Sequence, residues 1–171
     1  MSIIDRLAVP GTNGWLGLTA CPGREPGLLR GDPRLLRLDL AGYARLGAVA
    51  VVTLVEQPEL EMLGLPELGE RVRDTGLAWE HLPIPDFHAP GPRFESAWPE
   101  AGARVHAHLR AGRGVVVHCL AGLGRTGTVA ARILVEAGLA PREALGRVRA
   151  ARPGAVQSTA QRDYVLRRGW D

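Results

Sequence analysis

One stretch constrains this chain more than any other: Gly114-Val-Val-Val-His118-Cys119-Leu120-Ala121-Gly122-Leu123-Gly124-Arg125-Thr126-Gly127-Thr128. The β-branched run over residues 115–117 reads as a buried strand, and the apolar, Ala-rich segment that starts near Thr126 reads as a helix. A glycine-punctuated loop leads from the first directly into the second. Such a junction is an anion site, because successive backbone N–H groups point into the loop and the helix dipole adds positive potential at its start. Two side chains make the site chemical. Cys119 stands at the loop entrance, the placement in which a thiol serves as a nucleophile. Arg125 closes the loop with a planar fork that clasps two phosphate oxygens at once, which a lysine cannot do. Leu120, Ala121, Gly122, Leu123, Gly124 and Arg125 are therefore the expected substrate-binding residues, beneath which Cys119 attacks.

Other readings of the same residues compete. Gly122-x-Gly124-x-x-Gly127, after a strand and before a helix, also matches the dinucleotide-binding fingerprint. That fingerprint needs a second parallel strand ending in an acidic residue about 20 residues on. The segments that follow here read as helix, and Glu143 sits in one of them. A sulfur transferase of the rhodanese type would also use a loop cysteine at a helix start, and a catalytically silent module would merely bind phosphate.

The rest of the chain reads as alternating strands and helices, then helices alone. Strands are expected over residues 15–20, 48–55 and 77–82, besides the central one. Helices are expected over 38–46, 58–63, 66–75, 94–111 and 141–152, besides the one after the loop. Ser158-x-x-Gln161 has the form of a capping box and opens a last helix through 168. The prolines of the 83–92 segment deny it both helix and ladder donors, so it is a loop. This order gives an α/β domain with a largely parallel central sheet covered by helices on both faces, expected as a single domain over residues 1–171. The hydrophobic content of 46% is enough for a real core.

Composition narrows the partners. The net charge is +3 and every basic residue is arginine, so no basic contact here is a lysine. No apolar run approaches the length of a membrane span and no leader is evident at Met1-Ser-Ile-Ile-Asp5. Two cysteines, Cys21 and Cys119, are too few for a disulfide framework. The expectation is a cytoplasmic monomer without nucleic-acid or membrane partners. Cys21 reads as a small buried residue, with a protective disulfide to Cys119 left open. His106 and His108 lie two apart on a helix and share no face, and no zinc-ligand spacing exists elsewhere, so no metal or other cofactor is expected. Arg149 and Arg152 are candidates for raising the positive potential near the site, a solvated helix face being the plainer reading.

Displacing an alkoxide or phenoxide from phosphorus needs a proton donor on the leaving oxygen. Asp86, on the proline-stiffened loop and beside Phe87, is the candidate; a turn-forming aspartate that bonds local backbone is the plainer reading. Thr126 is expected to donate its hydroxyl to the sulfur when the thiolate leaves. His118 reads as a structural hydrogen-bonder that shapes the loop.

His118-Cys119-x-x-Gly122-x-x-Arg125-Thr126 fits the signature of the cysteine-dependent protein phosphatases at every fixed position, and the chain resembles that superfamily. Leu16-Gly-Leu-Thr-Ala-Cys-Pro-Gly23, His81-Leu-Pro-Ile-Pro-Asp86 and Gly154-Ala-Val-Gln157 extend the likeness to the kinase-associated dual-specificity phosphatases, the cyclin-dependent kinase inhibitor 3 group. The resemblance implies the cysteine-phosphatase fold and hydrolysis of a phosphorylated protein or small phosphomonoester through a cysteinyl-phosphate intermediate. It also implies that Asp86 lies on a mobile general-acid loop. Val156-Gln157-Ser-Thr-Ala-Gln161 resembles the glutamine loop of protein tyrosine phosphatases, which gives Gln157 the role of orienting the hydrolytic water and leaves Gln161 as the capping partner of Ser158. No counterpart of the long phosphotyrosine-recognition loop is present, which implies a shallower cleft. Leu120 and Leu123 stand where phosphoinositide phosphatases tend to carry basic residues, which counts against a lipid; a phosphoinositide or small metabolite is kept as the alternative substrate.

Overall fold

The computed structural model describes residues 3–25, 27 and 30–167. Its elements follow in the order β1 (Asp5–Ala8), β2 (Trp15–Thr19), α1 (Pro33–Arg45), β3 (Ala48–Thr53), α2 (Gln57–Met62), α3 (Leu68–Asp74), β4 (Ala78–His81), α4 (Pro92–Arg110), β5 (Gly114–His118), α5 (Gly124–Glu136), α6 (Pro141–Ala151) and α7 (Thr159–Leu166). The strands form a five-stranded sheet in the order β1-β2-β5-β3-β4. β2, β5, β3 and β4 run parallel, and β1 pairs antiparallel with β2 at the edge. The expected α/β class with a largely parallel, helix-flanked sheet is the one the chain adopts.

β3 and β5 are continuous apolar runs because the sheet is covered on both faces: Val51, Val52, Val115, Val116 and Val117 are fully buried. α5 supplies the other half of the core. Its Val129, Ala130, Ala131, Ile133 and Leu134 are also fully buried, and it packs against β2, β5, α6 and α7.

The strand ends define where chemistry can sit. In the sheet register Thr19 pairs with His118, His118 with Thr53, and Thr53 with His81. All four parallel strands thus finish on one row, and the segments that follow them emerge on the same edge, the usual ligand position in open α/β sheets. Cys119 and Asp86 both lie in these segments.

Several elements depart from expectation. β1 has no counterpart in the sequence reading, since its four residues carry one inward apolar side chain, Leu7, and an edge strand needs no more. α1 starts at Pro33 rather than 38: Asp32 caps it, its Oδ1 accepting the Arg34 N–H at 2.7 Å, and proline suits the first helical position. α3 starts at Leu68, after Pro66 rather than on it. α7 is described to Leu166, and the expected end at 168 lies outside the described residues. No helix among the described residues is long and apolar enough to cross a membrane.

The Asp32 cap gives a direct check on the start of α1. Replacing Asp32 with alanine is expected to lower the unfolding free energy by about 1 kcal/mol in denaturant titration. An unchanged midpoint would mean that the side chain does not cap the helix.

Candidate active site

Cys119 leaves β5 at the row of strand ends and is buried. Behind it His118 is fully buried and bonded at both ring nitrogens: Nδ1 to the Cys119 carbonyl at 3.3 Å and Nε2 to Thr53 Oγ1 at 2.8 Å. A carbonyl only accepts, so Nδ1 carries the proton and, in the neutral ring, Nε2 accepts from the Thr53 hydroxyl. That hydroxyl in turn accepts the Trp79 indole N–H at 2.9 Å. Burial, joined by the nearby Arg125 and His81, pushes His118 down to about 3, so it is neutral. The expectation of a structural histidine that shapes the loop holds.

Arg125, in the first turn of α5, is nearly inaccessible yet charged. Nη1 donates to Glu59 Oε2 at 2.7 Å and to the Ile84 carbonyl at 3.0 Å, and Nη2 donates to Glu59 Oε1 at 2.9 Å. Burial works against the charge, but the Glu59 bonds and the electrostatic contacts with Cys119 and Asp86 outweigh it and raise the pKa. Glu59 is a functional residue that the sequence reading missed. Its Oε2 also accepts the Glu56 N–H at 2.8 Å, closing the first turn of α2. The Glu56-x-x-Glu59 spacing signals such a cap, but nothing local signals an arginine 66 residues away.

Asp86 is half-exposed, and its Oδ1 stands 3.0 Å from Arg125 Nη2 while accepting the Phe87 N–H at 3.0 Å. The carboxylate thus bonds local backbone, as the plainer reading has it, and also meets the loop arginine. Phe87 is exposed and takes a positive φ of 59°, a conformation rare for an aromatic residue.

Gly122 takes φ 73°, and a Cβ there would lie 2.3 Å from the Thr19 carbonyl, so the loop presses directly on the end of β2. A Cβ on Gly124 would lie 2.8 Å from Gln157 Oε1 and 2.9 Å from Gln161 Nε2, which places both glutamines against the start of α5. Gln157 is exposed there, whereas Gln161 is buried and bonded throughout. Its Oε1 accepts the N–H groups of Gln157 and Ser158 at 3.0 and 3.1 Å, and its Nε2 donates to the His88 carbonyl at 3.1 Å. The capping box expected at Ser158 is present, with the added bond to the Asp86 loop.

Thr126 makes no side-chain bond in this arrangement: its hydroxyl is buried without a hydrogen-bond partner among the described residues, the Cys119 sulfur included. The residue lies inside α5, which begins at Gly124 rather than near 126, and the helix backbone fixes its position. Arg125 Nε is likewise buried and unpartnered. Two orphaned polar atoms at one helix start are an expensive arrangement, at roughly 1–3 kcal/mol each, unless a ligand engages them.

Cys21 and Cys119 are both free thiols. The Cys21 N–H donates to the Leu120 carbonyl at 3.2 Å, while burial, with Cys119 adding to it, pushes the Cys21 thiol up to about 12. Arg149 is exposed yet tied down: Nε and Nη2 donate to the carbonyls of Ala155 and Val156, both at 3.1 Å. His106 pairs with Glu136 at 2.7 Å, away from the strand ends. The dinucleotide reading fails on topology, because only helices α6 and α7 follow α5 among the described residues.

Comparison with known proteins points one way. Residues 37–139 match the family described as "Polymorphic toxin system, DSP-PTPase phosphatase". The chain is 30% identical over 154 residues to cyclin-dependent kinase inhibitor 3 of Rattus norvegicus, covering 88% of this chain and 70% of that protein. It is 48% identical over 54 residues to tyrosine-protein phosphatase cdc-14 of Caenorhabditis elegans, a match to 31% of this chain and 8% of that one. Kinase associated phosphatase, with serine substituted for its catalytic-site cysteine, superposes with a TM-score of 0.82 at 25% identity, covering 96% of this chain and 92% of that one. Tk-PTP in its active form superposes with a TM-score of 0.71 at 31% identity, covering 94% and 93%.

The buried neutral histidine has a thermodynamic consequence. The folded protein refuses a proton at His118 down to about pH 3. An unfolded chain takes one up near pH 6.5, so acid favours unfolding and this part of the stability is lost as pH falls below that value. Between pH 7 and pH 5 the loss amounts to about 2 kcal/mol. A His118→Asn variant is expected to show a correspondingly shallower fall in unfolding free energy over that range. Equal slopes in the two proteins would mean that the imidazole titrates freely in the folded state.

Proposed function

The chain belongs to the dual-specificity (DSP-PTPase) phosphatases, cysteine-based enzymes that hydrolyse phosphomonoesters, and from that premise we propose how its own residues perform the reaction. The Cys119 thiolate attacks phosphorus in line, forming the S–P bond as the bond to the leaving oxygen breaks. Asp86 gives its proton to that oxygen. In the second step Asp86 takes a proton from a water oriented by Gln157, the water oxygen displaces sulfur, and inorganic phosphate leaves. Backbone N–H groups over residues 120–125 and the Arg125 guanidinium hold the equatorial oxygens in both steps, which is where most of the work of phosphoryl transfer lies. Glu59 does no chemistry in this scheme; it holds the guanidinium plane from behind, through both Nη atoms.

The observation that carries this reading is the meeting of Asp86 and Arg125 at 3.0 Å across 39 positions of sequence, on the loop that begins with Cys119. The residues proposed as nucleophile, anion clasp and proton donor thereby share one edge of the sheet. The orphaned Arg125 Nε and Thr126 Oγ1 add donors that meet no acceptor among the described residues. Thr126 then bonds sulfur only once the loop holds its substrate, easing departure of the thiolate. Leu120, Ala121 and Leu123 bring no side-chain charge to the loop. The substrate we propose is accordingly a phosphorylated protein side chain or a small phosphomonoester, bound through its phosphoryl group rather than as a polyanionic lipid headgroup. Chemistry that needs a reduced thiol suits the cytoplasm.

Cys119→Ser is expected to abolish hydrolysis of an aryl phosphate while vanadate still binds; residual turnover in that variant would rule out the covalent route. Asp86→Asn is expected to slow alkyl phosphates by about 10²-fold or more, the usual worth of a general acid, and activated aryl phosphates far less. Equal losses for both leaving groups would assign the proton to another residue.

A further inference from the structure

The loop between β5 and α5 has an inner side, which the proposed reaction uses, and an outer side, which it does not. On the outer side successive carbonyl groups are held by arginines. Arg24 Nη1 donates to the Leu120 carbonyl at 3.2 Å, Arg152 Nη2 to the Ala121 carbonyl at 3.1 Å, and Arg152 Nε to the Gly122 carbonyl at 2.5 Å. Arg152 caps the C-terminal end of α6, and its remaining terminal nitrogen, Nη1, donates to Asp5 Oδ2 at 2.6 Å. Asp5 opens β1, the edge strand that pairs antiparallel with β2.

In a planar trans peptide the C=O of one residue and the N–H of the next point in opposite directions. Arginines that hold the carbonyls of Leu120, Ala121 and Gly122 outward therefore turn the N–H groups of Ala121, Gly122 and Leu123 inward. Among the described residues none of these N–H groups donates to a protein acceptor. Left alone, a loop with this many unpaired donors would relax by rotating its peptides. Charge-assisted bonds to a guanidinium are roughly twice as strong as neutral ones, and the rigid fork reaches two adjacent carbonyls at once. The Arg152–Asp5 ion pair is largely shielded, with side-chain exposures of 15% and 32%. Asp5 neutralises much of the added charge, so what Arg152 supplies is peptide orientation more than potential.

We infer that Arg152, fixed by Asp5, is a positioning residue for this reaction: it holds the peptides of the Cys119 loop in the orientation that presents N–H groups to the phosphoryl oxygens. The inference rests on the phosphatase reading of the same loop. It gives β1 a task, because an edge strand distant in sequence becomes the anchor of the oxyanion donors. Arg24 braces the neighbouring peptide from the segment after β2.

The test compares wild type, Arg152→Ala, Asp5→Asn and the double variant by inorganic vanadate affinity, by kcat and KM on an aryl phosphate, and by thermal melting. For Arg152→Ala vanadate is expected to bind at least tenfold more weakly and kcat to fall by a similar factor or more, with a melting temperature close to that of wild type. Asp5→Asn is expected to shift both in the same direction by a smaller factor. Because Asp5 acts only through Arg152, the double variant should be no worse than Arg152→Ala alone. Vanadate affinity and kcat unchanged in Arg152→Ala, or losses that multiply in the double variant, would overturn the inference. If Arg152→Ala does not fold, Asp5→Asn decides: a folded protein with unchanged vanadate affinity overturns it. Wild type that neither binds vanadate nor hydrolyses the ester would remove the phosphatase reading itself, and this inference with it.

Discussion

A guanidinium taken almost wholly out of water needs an answer for its charge, and Glu59 gives it. Breaking such a pair by removing one partner costs far more than an exposed ion pair is worth, because a lone charge is then left buried. The two-pronged bond between Arg125 and Glu59 ties the start of α5 to α2, while the Ile84 carbonyl brings in the segment after β4. Three pieces of chain that follow three different strands are thereby fixed to one cation. The Asp86 carboxylate is set against that cation by the same arrangement.

What was legible beforehand was what depends on short-range pattern. The run from Gly114 to Thr128 carries its strand, its turn and its helix start within fifteen residues of sequence. The apolar strand over Ala48–Thr53 and the box at Ser158 and Gln161 are likewise local. Glu59 was illegible because its partner is remote; a glutamate in the first turn of a short helix usually just faces water. β1 was illegible because an edge strand of four residues pairs on one side and buries one apolar residue. The bonds that Arg149 and Arg152 make were illegible for a related reason: helix periodicity says which face a side chain leaves from, not what the next loop offers it.

Backbone strain also lay beyond reach. Val156 is β-branched and buried, yet takes φ 60°, a conformation that sequence statistics would assign to glycine or asparagine. Its position is over-determined by its own N–H on the Leu123 carbonyl and by the Arg149 fork on the carbonyls of Ala155 and Val156. The strained turn delivers Gln157 to the start of α5, where its amide oxygen would touch a side chain on Gly124. The strain and the glycine are two halves of one fit.

The shared row on which Thr19, His118, Thr53 and His81 end has an implication for how such a molecule can change over time. Removing one residue from any of these strands would withdraw the following segment by about 3.3 Å and turn its side chains to the opposite face. Lengthening a connection on the far edge of the sheet disturbs none of this. Divergence is therefore cheap in the linkers at one end of the barrel-less sheet and nearly forbidden in strand length, so relatives can differ widely in outline while their reacting atoms keep the same mutual spacing.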